Sequence, residues 1–260
     1  MKVCAMVQAR MGSQRFPGKV LQKLKGVTLL ESTLLRLQQS KKVNEIKVLT
    51  SNQEIDTPIV KLCAEKGFSL FQGDSEHVLK RFYDALSTTD ADFILRITAD
   101  CPLIDPQIID QLIALGEEKA ADKTLQIFTN VKPRTFPRGL DCELVSRYTL
   151  SEIFTKAQKH IHKEHVTLYA YDHAEDFEIF NLGDVNNHAH FRLTVDEPAD
   201  LHMLEALLTQ CEIKGHSTFP DSKALIAVLD ETPAIQCINA SIIQNHPFNT
   251  SDPFHSGLLP

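Results

Sequence analysis

Between residues 3 and 116, short apolar runs alternate with stretches of helical spacing, and few architectures accommodate that rhythm. Residues 3–8 read as a strand, and 29–39 as a helix with Leu30, Leu34 and Leu37 on one face. Residues 46–50 form a second strand. Thr57 then offers an N-cap and Pro58 a first helical residue, and Gly67 ends that helix. Residues 68–71 are a third strand, and Val78, Leu79, Phe82 and Leu86 keep helical spacing. A buried-looking strand at 93–97 and a helix at 106–116 complete the series. Repeated βαβ units imply parallel strands, right-handed crossovers and helices on both faces, with ligands at the carboxyl ends of the strands.

The second half is less regular from 129 to 187. Residues 125–128 read as a strand, Ser146 as the start of a helix, and 160–171 as a His-rich helical segment. Residues 191–195 read as a final strand of the sheet. Leu201, Leu204, Leu207, Leu208 and Cys211 share one helical stripe, and a short helix is expected at 221–229. Prolines at 247, 253 and 260 mark an extended tail. The expected organisation is one domain over 1–240, with 131–190 as a less regular insertion and 241–260 as the tail.

The chain has 260 residues, 43% of them hydrophobic and 23% charged, with a formal net charge of -7. That balance allows a sizeable core and argues against general affinity for nucleic acid or anionic membranes. No run approaches the roughly 18 apolar residues of a membrane span, and the first residues do not resemble a signal peptide. Six scattered cysteines without a C-x-x-C pair are the usage of reduced thiols in a cytoplasmic protein.

Against this acidic background, residues 7–19 concentrate Arg10, Arg15 and Lys19 with Gly12, Ser13 and Gly18 in one loop after the first strand. Such a loop presents cations and backbone N–H groups to phosphate. It is not a Walker A motif: five residues separate Gly12 from Gly18, and Val20 follows Lys19. The dinucleotide spacing is also absent. What remains is a grip by Arg10, Arg15 and Lys19, helped by the amides near Gly12 and Ser13. A solvated basic turn is the alternative on composition alone.

Two predicted strands end in an acid close to a proline, at Asp100-Cys101-Pro102 and Asp196-Glu197-Pro198. Proline stops a ladder and leaves the carboxylate at the rim of the sheet. Singly, each aspartate reads as a helix cap. Beside a polyphosphate loop, the pair suits Mg²⁺, a hard cation bound by one or two carboxylates, water and phosphate oxygens.

The stretch from Ala9 to Lys19 resembles the N-terminal signature of the CMP-sugar synthetases, and most of all the branch of spore-coat polysaccharide cytidylyltransferases. Further segments carry the same resemblance: Gln72-Gly73-Asp74, Val78 to Phe82, Arg96 to Ile104, Phe136 to Asp141, Glu164 to Thr167, and Arg192 to Asp196. It extends to about Asn239. The resemblance implies an α/β fold of the nucleotide-diphospho-sugar transferase type, Rossmann-like, with a mostly parallel mixed sheet. It implies transfer of CMP from CTP to a 2-keto-3-deoxy sugar acid, with Mg²⁺ and release of pyrophosphate, for cell-surface polysaccharide or glycoconjugate synthesis.

Carried over by position, Ala9, Arg10, Gly12, Ser13, Arg15 and Lys19 hold the nucleotide, and Asp100 and Asp196 ligate the metal. Arg10, Lys19, Asp100 and Asp196 are the catalytic set. Ser51, Gln72, Asp74 and Arg81 line the nucleotide pocket, and Asp100 belongs to it as well. Arg138, Asp141 and His165 belong to the sugar site or to a dimer contact, since members of the family commonly pair through the middle segment. His160, His162 and His165 have no partner completing a zinc set and read as structural or interface residues. The residues leave open another nucleotide or acceptor on the same fold, and a nucleotide-binding protein without turnover.

Overall fold

Alternation along β1 (Val3–Gln8) sends Val3, Ala5 and Val7 into one apolar layer and Cys4 and Met6 into the other, all of them buried. In the computed structural model, which describes residues 1–243, this strand lies inside a seven-stranded sheet. The basic loop leads from β1 to a hairpin of β2 (Lys23–Leu24) and β3 (Val27–Thr28), then to α1 (Leu29–Leu37). The Thr28 hydroxyl caps α1 by accepting from the Glu31 N–H at 3.1 Å.

Next come β4 (Glu45–Ser51), α2 (Thr57–Lys66), β5 (Ser69–Gly73), α3 (Val78–Ala85), β6 (Phe93–Thr98) and α4 (Pro106–Lys119). Gly67 closes α2 in the left-handed region, φ 73°, as expected. Thr57 is the first residue of α2 and not its cap; Asp56 stands at the cap position, with its carboxylate engaged elsewhere.

The second half supplies β7 (Gln126–Thr129), β8 (Glu143–Ser146), α5 (Arg147–Lys156), α6 (His160–Glu164), α7 (Leu168–Asp172) and β9 (Glu178–Asn181). It ends with α8 (Pro198–Ile213), α9 (Ser222–Glu231) and α10 (Pro233–Gln236). From residue 244 onward, the expected tail lies outside the described residues. The strand order is β5-β4-β1-β6-β8-β7-β9, and every neighbouring pair is parallel except the two made by β8. The sheet is therefore mixed and mostly parallel. Residues of α1, α2, α4, α8 and α9 cover one face, and those of α3, α5 and α7 the other.

The middle segment departs from expectation in two places. The stretch 160–171 is not one helix: it breaks into α6 and α7 around His165. Residues 191–195 do not join the sheet, because the position beside β6 is taken by β8. They run instead as an extended strap. The Arg138 N–H donates to the Phe191 carbonyl at 3.0 Å, the Leu193 N–H to that of Arg138 at 2.6 Å, and the Val195 N–H to that of Asp100 at 2.8 Å.

After β1 the chain first builds β4 and β5 to one side, then returns to place β6 on the other. The switch point between β1 and β6 opens a crevice at their carboxyl ends, where ligands bind in open α/β sheets. The strap delivers Asp196 to that crevice, and Gly139 lets it pass. A Cβ at Gly139, φ 104°, would stand 2.5 Å from the Leu193 carbonyl carbon and the Thr194 nitrogen. Gly139→Ala is expected to lower stability by about 3 kcal/mol or more, since backbone strain and overlap combine. Gly67→Ala, with open space around it, should lose only about 1–2 kcal/mol. Urea midpoints of the two variants check the difference.

Candidate active site

The crevice is a cleft of about 480 Å³ lined by Gln8 and Ala9 from the end of β1, the basic loop, and Thr98, Ala99 and Asp100 after β6. Val78 and Arg81 of α3, Glu164 of α6 and Asp196 close it. Of the residues expected at the nucleotide, Ala9, Arg10, Gly12, Ser13, Arg15, Lys19, Arg81 and Asp100 do meet here.

At the centre, the Lys19 ammonium donates to Asp100 Oδ2 at 2.8 Å, Asp196 Oδ1 at 2.8 Å and the Val195 carbonyl at 2.7 Å. These three bonds use every proton an ammonium has. As placed, Lys19 serves the two carboxylates. Burial opposes its charge, but Asp100 and Asp196 outweigh burial and raise its pKa. Burial likewise opposes ionisation of Asp196, yet Lys19, Arg192 and Arg15 hold that carboxyl at about 2.

Neither aspartate caps a helix. Asp105 caps α4 through the Gln107 N–H at 2.8 Å, and Asp200 accepts the N–H groups of Asp196 and Glu197 at 2.8 and 3.0 Å before α8. Capping is thus done by neighbours, and Asp100 and Asp196 are left to face each other across one cation. Among the described residues no cluster of three or more His, Cys, Asp or Glu side chains could hold a metal. Two converging carboxylates are nevertheless a fitting donor set for Mg²⁺, which takes its remaining oxygens from water and phosphate.

The loop itself is pinned from below. Asp56 accepts from the Met11 N–H at 2.7 Å and from the Ser51 hydroxyl, so β4 and the loop share one buried carboxylate. The Ser13 and Gly18 amides are both turned inward to the Met11 carbonyl. The amides of Gly12, Gln14 and Arg15 have no hydrogen-bond partner among the described residues. The Gly12, Gln14 and Arg15 amides therefore remain as donors for the expected phosphate contact, while the Ser13 amide is engaged within the loop. Arg10 meets Glu164 at 3.4 Å, and Arg15 meets Asp196 at 3.2 Å and Glu197 at 3.4 Å. These long, partly exposed pairs are weakly held.

Other expected residues do not line the cleft. Gln72 donates to the Ser51 carbonyl, the Ser51 hydroxyl is bound to Asp56, and Asp74 accepts the N–H groups of Glu76 and His77 at 2.9 Å each. Arg81, though at the wall, donates to the Asp74 carbonyl at 3.0 and 2.7 Å and so fixes the turn before α3. Asp141 forms a two-toothed pair with Arg134, both bonds 2.6 Å. Burial and the nearby Arg134 and Arg192 lower the pKa of Arg138 to about 10, and its side chain makes no hydrogen bond or ion pair among the described residues. His165 stands at the end of α6, its pKa lowered chiefly by burial. His162 is buried against Asp172 at 2.8 Å, a structural pairing.

Sequence reasoning missed Gln8, Val78 and Glu164 in the lining and Asp56 beneath the loop. Only Asp56 left a signal, as an acid just before a proline-initiated helix.

A model of the cytidylyltransferase family matches residues 4–219. The spore coat polysaccharide biosynthesis protein SpsF of Bacillus subtilis is 30% identical over 235 residues, 88% of this chain and 94% of that protein. A 3-deoxy-manno-octulosonate cytidylyltransferase of Christiangramia forsetii is 27% identical over 124 residues, 47% of this chain and 48% of the enzyme. The structure of a cytidylyltransferase from Leptospira borgpetersenii is 30% identical with a TM-score of 0.85, covering 95% of this chain and 100% of that one. By this match, this chain belongs to the cytidylyltransferase family of nucleotidyltransferase enzymes.

Proposed function

We propose that the chain transfers CMP from CTP to a sugar acid of the 2-keto-3-deoxy type and releases pyrophosphate, as a homodimer in the cytoplasm. Its product would enter cell-surface polysaccharide or glycoconjugate synthesis, which fits the likeness to SpsF. The observation that carries the reading is the meeting, in one cleft, of a basic loop with unpartnered amides and two carboxylates on one ammonium.

Arg10, Arg15 and the Gly12 amide hold the triphosphate, exchanging weak contacts to Glu164 and Glu197 for phosphate oxygens. Lys19 keeps the two carboxylates together and ionised. Asp100 and Asp196 would hold Mg²⁺, which when bound screens phosphate charge and makes the acceptor hydroxyl easier to deprotonate. The acceptor oxygen forms its bond to the α-phosphorus as the bond to the β-phosphate oxygen breaks, and pyrophosphate leaves with the electron pair. The chain's tasks are alignment and charge stabilisation, and no covalent enzyme intermediate is needed. We assign the acceptor's carboxylate to Arg138, which lies outside the lining of the nucleotide cleft but is half-buried and without an acidic partner in hydrogen-bond contact.

Asp100→Asn and Asp196→Asn should each lower CTP-dependent pyrophosphate release by at least about a hundredfold, the scale of losing one placed charge. Circular dichroism of both variants should match the wild type. Near-normal rates in both at saturating Mg²⁺ would overturn the metal assignment. Arg138→Met should raise KM for the sugar acid about ten- to a hundredfold, since a hydrogen bond to a charged group contributes about 1.5–3 kcal/mol. KM for CTP should stay unchanged. A panel of nucleotides and sugar acids, scored by pyrophosphate, identifies the working pair, and wild-type release only with another nucleotide would refute CTP as donor.

A further inference from the structure

Gln8, the last residue of β1, projects to the face that carries Cys4 and Met6, and it lines the cleft. Its carboxamide oxygen accepts from Arg96 Nε at 3.2 Å. Arg96 lies on β6 directly across from Glu143 of β8 and donates to Glu143 Oε2 at 2.5 Å. Glu143 is buried and has further donors: the Thr167 hydroxyl at 3.0 Å on Oε2 and the Tyr171 hydroxyl at 2.5 Å on Oε1. A chain of hydrogen bonds thus runs from α7 through two strands to the wall of the cleft.

The chemistry of that chain fixes which way the Gln8 amide faces. A guanidinium has five N–H donors and no acceptor, so only the oxygen of Gln8 can meet it. The NH₂ group is therefore turned away from Arg96, and it has no acceptor among the described residues. Flipping the amide would set NH₂ against guanidinium N–H and leave two donors facing each other. The donor orientation is imposed by a buried ionic network and not by the ligand.

Resting on the CTP reading, we infer that Gln8 is the residue that tells cytosine from uracil, its NH₂ donating to the ring nitrogen N3 of the pyrimidine. Cytosine offers a lone pair at N3. Uracil carries a proton there and would oppose donor to donor. The cations of the loop and Asp100 take the phosphate part of the cleft, while Gln8 shares its lining with apolar Val78 and with Arg81, whose charge is already engaged. Arg96 and Glu143 act through Gln8 and are positioning residues.

The test measures binding of CTP and of UTP, each with Mg²⁺, to the wild type and to Gln8→Leu, Gln8→Glu and Arg96→Met. The wild type should prefer CTP. Gln8→Leu should lower the CTP-to-UTP ratio about tenfold or more, as expected where a buried donor loses its discriminating partner. Gln8→Glu, which can only accept, should move the ratio further toward UTP. Arg96→Met, which frees the amide to rotate, should lower the ratio while CTP binding itself persists. A purely structural role for Gln8 would weaken both nucleotides equally, and an unchanged ratio in folded Gln8→Leu would overturn the proposal. So would a change confined to KM of the sugar acid. If the wild type binds neither nucleotide, the CTP reading itself falls and the role of Gln8 with it.

Discussion

The site depends on one ammonium. Lys19 comes from the first loop, Asp100 from the end of β6, and Val195 and Asp196 from a strap some hundred residues later, and all of them converge on the Lys19 nitrogen. Removing three charged groups from water is unfavourable, and such clusters persist when every donor and lone pair is satisfied. Here all three ammonium protons are used, Arg192 takes the other oxygen of Asp196 at 2.7 Å, and the Thr98 hydroxyl donates to Asp100 at 2.5 Å. The same contacts that close the fold at its carboxyl edge therefore hold two carboxylates, which would otherwise repel, within reach of one cation.

Around this point the sheet works as a ruler. Parallel strands with interdigitated apolar faces fix where β1 and β6 end, and register alone sets Gln8 beside Thr98. Asp56 then ties the loop after β1 to the end of β4. The reacting groups are carried on strand ends and on a loop pinned by a buried carboxylate, so placement follows from packing in the two layers.

Much of this was legible in the sequence because its signals were local. Val3 to Val7 is apolar on both faces, Gly67 needs a left-handed turn, and an acid before a proline marks a strand end. The rest depended on partners far away in the chain. Nothing in the four residues of β8 shows that they will pair with β6 and displace 191–195 from the sheet. Ser51, Gln72 and Asp74 have the polarity of ligand groups, but their hydrogen bonds are used within the protein. Gln8 resembles any polar residue ending a strand until Arg96 and Glu143 are seen beside it. Singly, the aspartates at 100 and 196 read as caps, and only beside the basic loop as ligands. Asp105 and Asp200 remove the cap reading by taking the capping themselves.

The magnitudes also say which contacts yield to an incoming anion. Arg10 and Glu164 are 54% and 39% exposed with 3.4 Å between them, and exposed pairs of this kind contribute about 0–1 kcal/mol. Lys19 is 10% exposed and triply bonded, and breaking such a buried cluster by removing one member costs about 3–5 kcal/mol. On the proposed reading, a phosphate entering the cleft would therefore draw on the arginines first and leave the ammonium in place. In a chain with a net charge of -7, this order has a further consequence. Glu164 and Glu197 pair with the loop's arginines in the free protein, so a loop that the proposed reading makes strongly basic toward phosphate need not destabilise it.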